Sequence, residues 1–269
     1  MRACGACGSW TYLPRMSAAE QAATGEDDGY FEHPYFKLRR QATPAQRRRC
    51  RDVFARLSQA LDLSALRGEP LLDVGSDTGT FLKMAQEELG IVPVGVDISR
   101  RAVEASRKLG VEAYCSAIET APGELAGFRA ITAIDLIEHV PDPAAFLRGI
   151  WQRLRPGGVA DLETPNIRSL VYRFGQALSN LTGARPAGLI QRLFPPQHVQ
   201  YFTPSSLRCL AERAGFQVVQ LLSRRLPLSD IGASIVPLLA MAALQTGDRF
   251  LGTQILLCLT IRRPLEDPS

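Results

Sequence analysis

From residue 71 onward, apolar runs of strand length alternate with segments whose apolar residues recur every three or four positions. Such alternation builds βαβ units, because parallel neighbouring strands need a crossover long enough to hold a helix. The strands it predicts are 71–74, 92–97, 111–115, 130–136 and 159–163, with two later ones near 216–222 and 254–262. Between them, "TFLKMAQEELG" puts Phe81, Leu82, Ala85 and Leu89 on one helical face and stops at Gly90, a residue that tolerates the left-handed helix end. "SRRAVEASRKLG" repeats the device with Ala102, Val103 and Leu109 before Gly110, and "PAAFLRGIWQRLRPGG" aligns Phe146, Leu147, Ile150, Trp151 and Leu154. The predicted fold class is α/β: a seven-stranded, mostly parallel sheet with helices on both faces and ligands at the carboxyl ends of its strands.

Before the sheet, "TPAQRRRCRDVFARLSQALDL" opens with Thr43 as an N-cap and Pro44 as first helical residue. Cys50, Val53, Phe54, Leu57 and Leu61 form its apolar face, which leaves Arg47, Arg48, Arg49 and Arg51 pointing mostly outward as a solvated surface. Between strands 5 and 6, residues 166–203 exceed a plain crossover and carry a helical period of their own at Leu170, Val171, Phe174 and Leu178, so a helical insertion or lid is expected there. Residues 229–247 read as an apolar flap interrupted by Pro237, 43–262 as the folded domain, and 1–42 and 263–269 as flanking segments. In the first of these, Tyr30, Phe31, Tyr35 and Phe36 form an aromatic stretch expected to cover the ligand pocket.

Composition narrows the class without naming it. Of 269 residues, 46% are hydrophobic and 22% charged, enough apolar matter for one substantial core, and a formal charge of +4 is too modest to demand a nucleic-acid partner. The chain opens without a cationic, apolar leader, so a cytoplasmic protein is expected. The least polar stretch, "IGASIVPLLAMAAL", is shorter than the ~20 residues a spanning helix needs, so no spanning segment is expected. Its all-round hydrophobicity suits plain packing first, and leaves room for a lipid-linked ligand or a dimer face in a chain read as monomer or homodimer. Cys50, Cys115, Cys209 and Cys258 lie in apolar periodic segments and read as buried thiols.

The candidate chemistry lies in "LLDVGSDTGTFL". Asp73, Gly75, Ser76 and Gly79 stand where a strand turns into a helix, a place where backbone N–H groups closely approach a polar ligand. Asp97 ends the next strand in "VGVDIS", where a carboxylate accepts both hydroxyls of a ribose. A dinucleotide fingerprint laid on Gly75 needs glycine at 77 and glycine or alanine at 80, but the chain has Asp77 and Thr80. An aspartate would also repel pyrophosphate, whereas a sulfonium amino-acid cofactor carries two positive groups and suits an acidic turn better.

Together with "AIDLIEHVPDPAAFL", "LRPGGVADLETPN" and "HVQYFTPSSLRCLAERAGF", these motifs resemble the class I S-adenosylmethionine-dependent methyltransferases, in the branch akin to ubiquinone-biosynthesis O-methyltransferases. The resemblance covers about residues 28 to 262 and implies a Rossmann-like methyltransferase sheet, S-adenosyl-L-methionine as cofactor and a small-molecule acceptor, a sugar, lipid-linked or secondary-metabolite hydroxyl. The family's first motif has a glycine where Asp77 stands. By resemblance, Asp73, Gly75, Ser76, Asp77 and Gly79 surround the methionyl part, Asp97 holds the ribose, Ile98 packs on the adenine, Ala117 and Ile118 frame its edge, and Asp135 lies beside the sulfonium. The alternatives are an NAD-dependent oxidoreductase, which the glycine spacing disfavours, and a non-catalytic methyltransferase-like binding protein.

Methyl transfer to a hydroxyl benefits from a base. His139, directly after the fourth strand, and His198, in the loop before Thr203 and Pro204, are the two candidates. Asp135, Glu138 and His139 also match, with aspartate for glutamate, a Glu-x-x-Glu-His pattern that binds a divalent metal in some relatives; the expectation here is no metal. Cys4 and Cys7 form a single C-x-x-C knuckle without the second pair that a structural zinc needs, and read as a vestigial tail.

Overall fold

Runs that are apolar at consecutive positions become strands covered on both faces, as parallel sheets require. In the computed structural model the described residues are 2–11, 40–182, 194–195, 197–225 and 254–266, with the isolated positions 17, 20, 23, 26, 243, 246–248 and 250–251. The aromatic stretch Tyr30, Phe31, Tyr35 and Phe36, the apolar segment from Ile231 and part of the insertion lie outside the described residues.

The central sheet contains β3 (Pro70–Val74), β4 (Val92–Asp97), β5 (Glu112–Cys115), β6 (Phe128–Ile134), β7 (Leu154–Pro165), β9 (Gln217–Arg224) and β10 (Leu256–Arg262). Their order is β5-β4-β3-β6-β7-β10-β9, and only β10 runs antiparallel to its neighbours. All seven predicted strands are present. The order reverses between β3 and β6, so the carboxyl ends of these two strands open a crevice.

On one face, Leu71, Leu82, Val103, Val111, Ala130 and Val159 pack with Val53, Phe54 and Leu57 of helix α1 (Pro44–Leu57). On the other, Leu72, Val94, Ile131 and Leu162 pack with Phe146, Leu147 and Ile150 of α4 (Pro143–Arg153). Helices α2 (Thr80–Leu89) and α3 (Arg100–Lys108) complete the first two crossovers. Caps fall where the residue types allow. Thr43 accepts from the Gln46 N–H, Asp142 from Ala144 and Ala145, and Thr203 with Ser206 forms a reciprocal capping box on α6 (Pro204–Arg213).

Five details differ from the sequence reading. Leu109 is 45% exposed because the helix ends at Lys108, and Phe174 of α5 (Leu170–Thr182) is 53% exposed while Val171 and Tyr172 turn inward. The amino-terminal knuckle is no loose tail: β1 (Arg2–Ala3) and β2 (Trp10–Thr11) form a small antiparallel sheet with β8 (Gln200–Tyr201), and the Thr203 hydroxyl donates to the Cys7 carbonyl at 3.1 Å. Two cysteines read as buried, Cys115 and Cys209, are exposed; Cys50 and Cys258 are buried. Finally, Arg49 points inward.

Candidate active site

The crevice is built from the strand ends upward. After β3 the chain turns sharply: the Gly75 N–H donates to the Val96 carbonyl at 2.8 Å and the Gly79 N–H to that of Ser76 at 2.9 Å. Gly79 sits at φ 77°, and a Cβ there would lie 3.0 Å from the Ser106 hydroxyl and from a Val111 methyl, so glycine lets α2 approach α3. Helix α2 starts at that glycine with no side-chain cap, leaving first-turn N–H groups for a ligand. The Ser76 side chain is buried. Its hydroxyl packs on Gly95, where an added Cβ would come within 2.5 Å of it.

Asp97 is held by its neighbours. One oxygen accepts the Ser99 N–H and the other the Asp77 N–H, both at 2.9 Å, which fixes the carboxylate and leaves lone pairs for a diol. Burial, opposed by those two N–H groups, leaves its carboxyl raised to about 6. Asp73 lies deeper and accepts the Thr132 hydroxyl at 2.6 Å; burial pushes it up to about 7, with Asp97 and Asp77 adding to the rise. Ile98 next to Asp97 is 42% exposed, an apolar surface beside that carboxylate. Ala117 lies just beyond β5, but the Ile118 side chain is buried in the core against Gly149, so Ile118 offers the crevice only its backbone.

Asp77 does not present a free negative charge to the crevice. Arg40, just before α1, places its Nε 2.8 and 3.0 Å from the two carboxylate oxygens. The acidic turn expected to favour a cationic cofactor is therefore neutralised by the protein itself.

Asp135, also at positive φ (52°), is likewise engaged: Arg49 of α1 donates to it at 2.6 Å. Arg49 also pairs with the buried Glu163, which Arg224 of β9 meets at 3.1 Å and Arg56 at 3.3 Å, while Arg56 grips Asp161 at 2.7 to 3.1 Å. Burial raises both strand carboxyls. For Glu163, Arg49 and Arg224 more than offset it, so its pKa falls below the ordinary value, whereas Asp161 stays raised. Sequence reasoning missed this cluster. Its signal was two carboxylates two residues apart on one face of a buried strand, and two arginines seven apart on one helix face.

On the far side of the crevice His139 and His198 meet edge to face, with ring centroids 4.6 Å apart. His139 Nδ1 lies 3.0 Å from the Gln197 carbonyl, which can only accept, so Nδ1 carries the proton and Nε2 of the neutral ring has the lone pair. Burial and the neighbouring His139 hold His198 well below the usual imidazole range, against the pull of Asp135, so it is neutral at neutral pH. Buried Glu138 accepts the Thr164 hydroxyl at 2.8 Å, and one ligand atom each of Glu138, His139 and His198 lie within 4.8 Å of one another. One carboxylate and two imidazoles are donors suited to a divalent transition ion. Asp135, part of the pattern that binds a metal in some relatives, is not in this set.

A methyltransferase-domain profile matches residues 39–221. The ubiquinone biosynthesis O-methyltransferase of Idiomarina loihiensis is 31% identical over 160 residues, 56% of this chain and 63% of that protein; its counterpart in Aromatoleum aromaticum is 29% identical over 169 residues, 59% and 68% of the two chains. This chain thus spans less than two thirds of the length of the Idiomarina relative. Among solved structures, phosphoethanolamine N-methyltransferase 2 of Haemonchus contortus, in complex with phosphomonomethylethanolamine and S-adenosylhomocysteine, superposes with a TM-score of 0.64 at 13% identity, covering 94% of this chain and 61% of that one. A SAM-dependent methyltransferase from Archaeoglobus fulgidus gives 0.57 at 16% identity, with 85% and 99% covered. At such identities the structures share the fold.

Proposed function

The chain belongs to the methyltransferase-domain family, and we propose that it transfers the methyl group of S-adenosyl-L-methionine to an oxygen of a small-molecule acceptor. The observation that carries the donor assignment is Asp97, its carboxylate fixed by two backbone N–H groups beside the exposed Ile98. When bound, S-adenosylmethionine supplies a methyl group activated by a positive sulfur. The residues fit its parts: Asp97 for the ribose diol, Ile98 for the adenine face, the uncapped start of α2 for the carboxylate, and buried Asp73 for the positive end.

What the chain adds is alignment and proton removal. His139 is the base in this reading, because the Gln197 carbonyl holds the proton on Nδ1 and so makes Nε2 the basic nitrogen. His198 packs against it without charge, so an imidazolium formed at His139 meets no like charge there. Asp135, neutralised by Arg49, is a wall of the site rather than a second base. A second reading rests on the proximity of Glu138, His139 and His198: a divalent ion held there would polarise the acceptor oxygen.

A sugar, lipid-linked or secondary-metabolite hydroxyl as acceptor, a monomer or homodimer and a cytoplasmic location belong to the same proposal; no helix of the described residues is long and apolar enough to cross a membrane. Isothermal titration tests the donor assignment directly. Micromolar binding of S-adenosylhomocysteine and none of NADH is expected, and the reverse would reject it. A panel of phenolic and sugar hydroxyl acceptors with methyl-labelled donor then tests the oxygen.

A further inference from the structure

Asp77 is where the turn departs from glycine, and every polar part of it is engaged. Its N–H donates to Asp97 at 2.9 Å, its carbonyl accepts the Ser106 hydroxyl of α3 at 2.7 Å, and its carboxylate receives Arg40. A glycine would supply the same left-handed backbone more cheaply; aspartate tolerates it and adds only a carboxylate. That carboxylate is used by Arg40, whose own carbonyl accepts the Thr80 hydroxyl at 3.0 Å, so Arg40 is fastened to the turn from both ends. The pair is also enclosed unequally. Arg40 keeps 12% of its side chain exposed and Asp77 40%.

We propose that Arg40 is a positioning residue of the donor site: by holding the Asp77 carboxylate it fixes the peptide N–H that orients Asp97, and so sets the ribose-binding carboxylate. The inference rests on the donor assignment above. The charged groups around Asp97 are Asp73 and Asp77 from the β3 side and Arg40 from the segment before α1; Cys115 is its register partner on β5, and Arg101 and Glu26 meet beyond it at the start of α3. Among these, Arg40 favours the ionised form of Asp97 and Asp77 opposes it. Removing Arg40 does two things at once. It frees the turn, and it leaves a carboxylate beside Asp97 without its counter-charge.

The test is titration of S-adenosylhomocysteine into the full chain across pH 5 to 8, for wild type, R40Q, D77N and the double variant. R40Q is expected to weaken binding roughly three- to ten-fold at neutral pH and to raise the pH midpoint of binding by about half a unit or more. D77N is expected to lower that midpoint. The double variant should bind better than R40Q alone, because the repelling charge is gone. If the two substitutions instead moved both midpoints alike, or if their losses multiplied, Arg40 and Asp77 would not act through one contact, and either result overturns the proposal, as does R40Q binding like wild type at every pH. D77N reports on the same contact from the other side if R40Q fails to fold. Wild type failing to bind at any pH would instead overturn the donor assignment.

Discussion

Replacing Asp97 by alanine removes the carboxylate that the Asp77 and Ser99 N–H groups hold in place, and donor affinity should fall by at least an order of magnitude. A hydrogen bond to a charged group is worth ~1.5–3 kcal/mol and each factor of ten ~1.4 kcal/mol, so one lost ribose bond predicts about ten- to a hundred-fold. Loss of both would go further, but water entering beside Ile98 satisfies the freed hydroxyls in part. pH sharpens the test. Burial raises Asp97 to about 6 and Asp73 to about 7, so wild-type affinity should strengthen as pH climbs from 5 to 7.5 and both groups ionise. In D97A the step near 6 should vanish while the step near 7 persists. The same shifts bear on folding with the opposite sense. Each folded value lies above the unfolded ~3.9, so ionisation costs the ligand-free fold stability that is regained as pH falls through 7 and 6 toward 4. Calorimetric titration of S-adenosylhomocysteine at four pH values reads the affinities, and circular dichroism checks the fold. Unchanged affinity in a folded D97A would remove Asp97 from the site and with it the donor assignment.

H139A should leave S-adenosylhomocysteine affinity within about two-fold and slow turnover by ~10² or more at neutral pH, while H198A should cost less; equal normal rates in single-turnover assays would reject histidine base catalysis. E163Q leaves Arg49, Arg56 and Arg224 without their shared buried carboxylate and should destabilise the fold by ~3–5 kcal/mol, or very roughly 6–20 °C in Tm. Because the folded Glu163 pKa is depressed, that difference should be full above the unfolded ~4.3 and shrink as pH falls through the lower folded value; a variant that melts with wild type at pH 7 refutes the ion cluster. Elemental analysis of purified protein should find substoichiometric zinc. One firmly held ion that E138Q releases would favour the metal reading at Glu138, His139 and His198, and one that survives E138Q but not C4S would place it at the amino-terminal knuckle.

The strands were legible because each is apolar at consecutive positions and bounded by glycine, proline or a cap, a pattern that depends on neighbours in sequence. Thr43, Thr203 and Gly90 act as read for the same reason: capping is local. Arg49 was misread because residue type outweighs position in a surface argument. Its place one turn before Val53 puts it on the buried face, and only the strand carboxylates across from it make that tolerable. The inward turn of the Ser76 and Ile118 side chains was not legible for a related reason. A motif shows which segment borders a ligand but not which way a side chain turns, and Gly95 and Gly149 left the room that drew each of them inward. Arg40 carried no local signal at all, since its partner lies 37 residues away across a segment with no shared period.

The two arginine contacts at the crevice that sequence reasoning missed divide it electrically. Arg40 neutralises Asp77 and Arg49 neutralises Asp135, so the carboxylates left to face a ligand are Asp73 and Asp97, both on the donor side at β3 and β4. On the acceptor side stand a neutral His198, a His139 with its proton fixed at Nδ1, and Glu138 tied to Thr164. In the proposed reading a cationic donor is thus drawn to one half, while in the half that would take a proton Asp135 is paired with Arg49 and Glu138 accepts from Thr164. If Arg49 were lost, the Asp135 carboxylate would stand beside the histidines without its counter-charge. The favoured state of His198 would then move toward the cation, and a base that works only when neutral would operate next to a repelling charge. In the proposed reading Arg49 therefore acts on proton transfer through charge, without its guanidinium touching the acceptor.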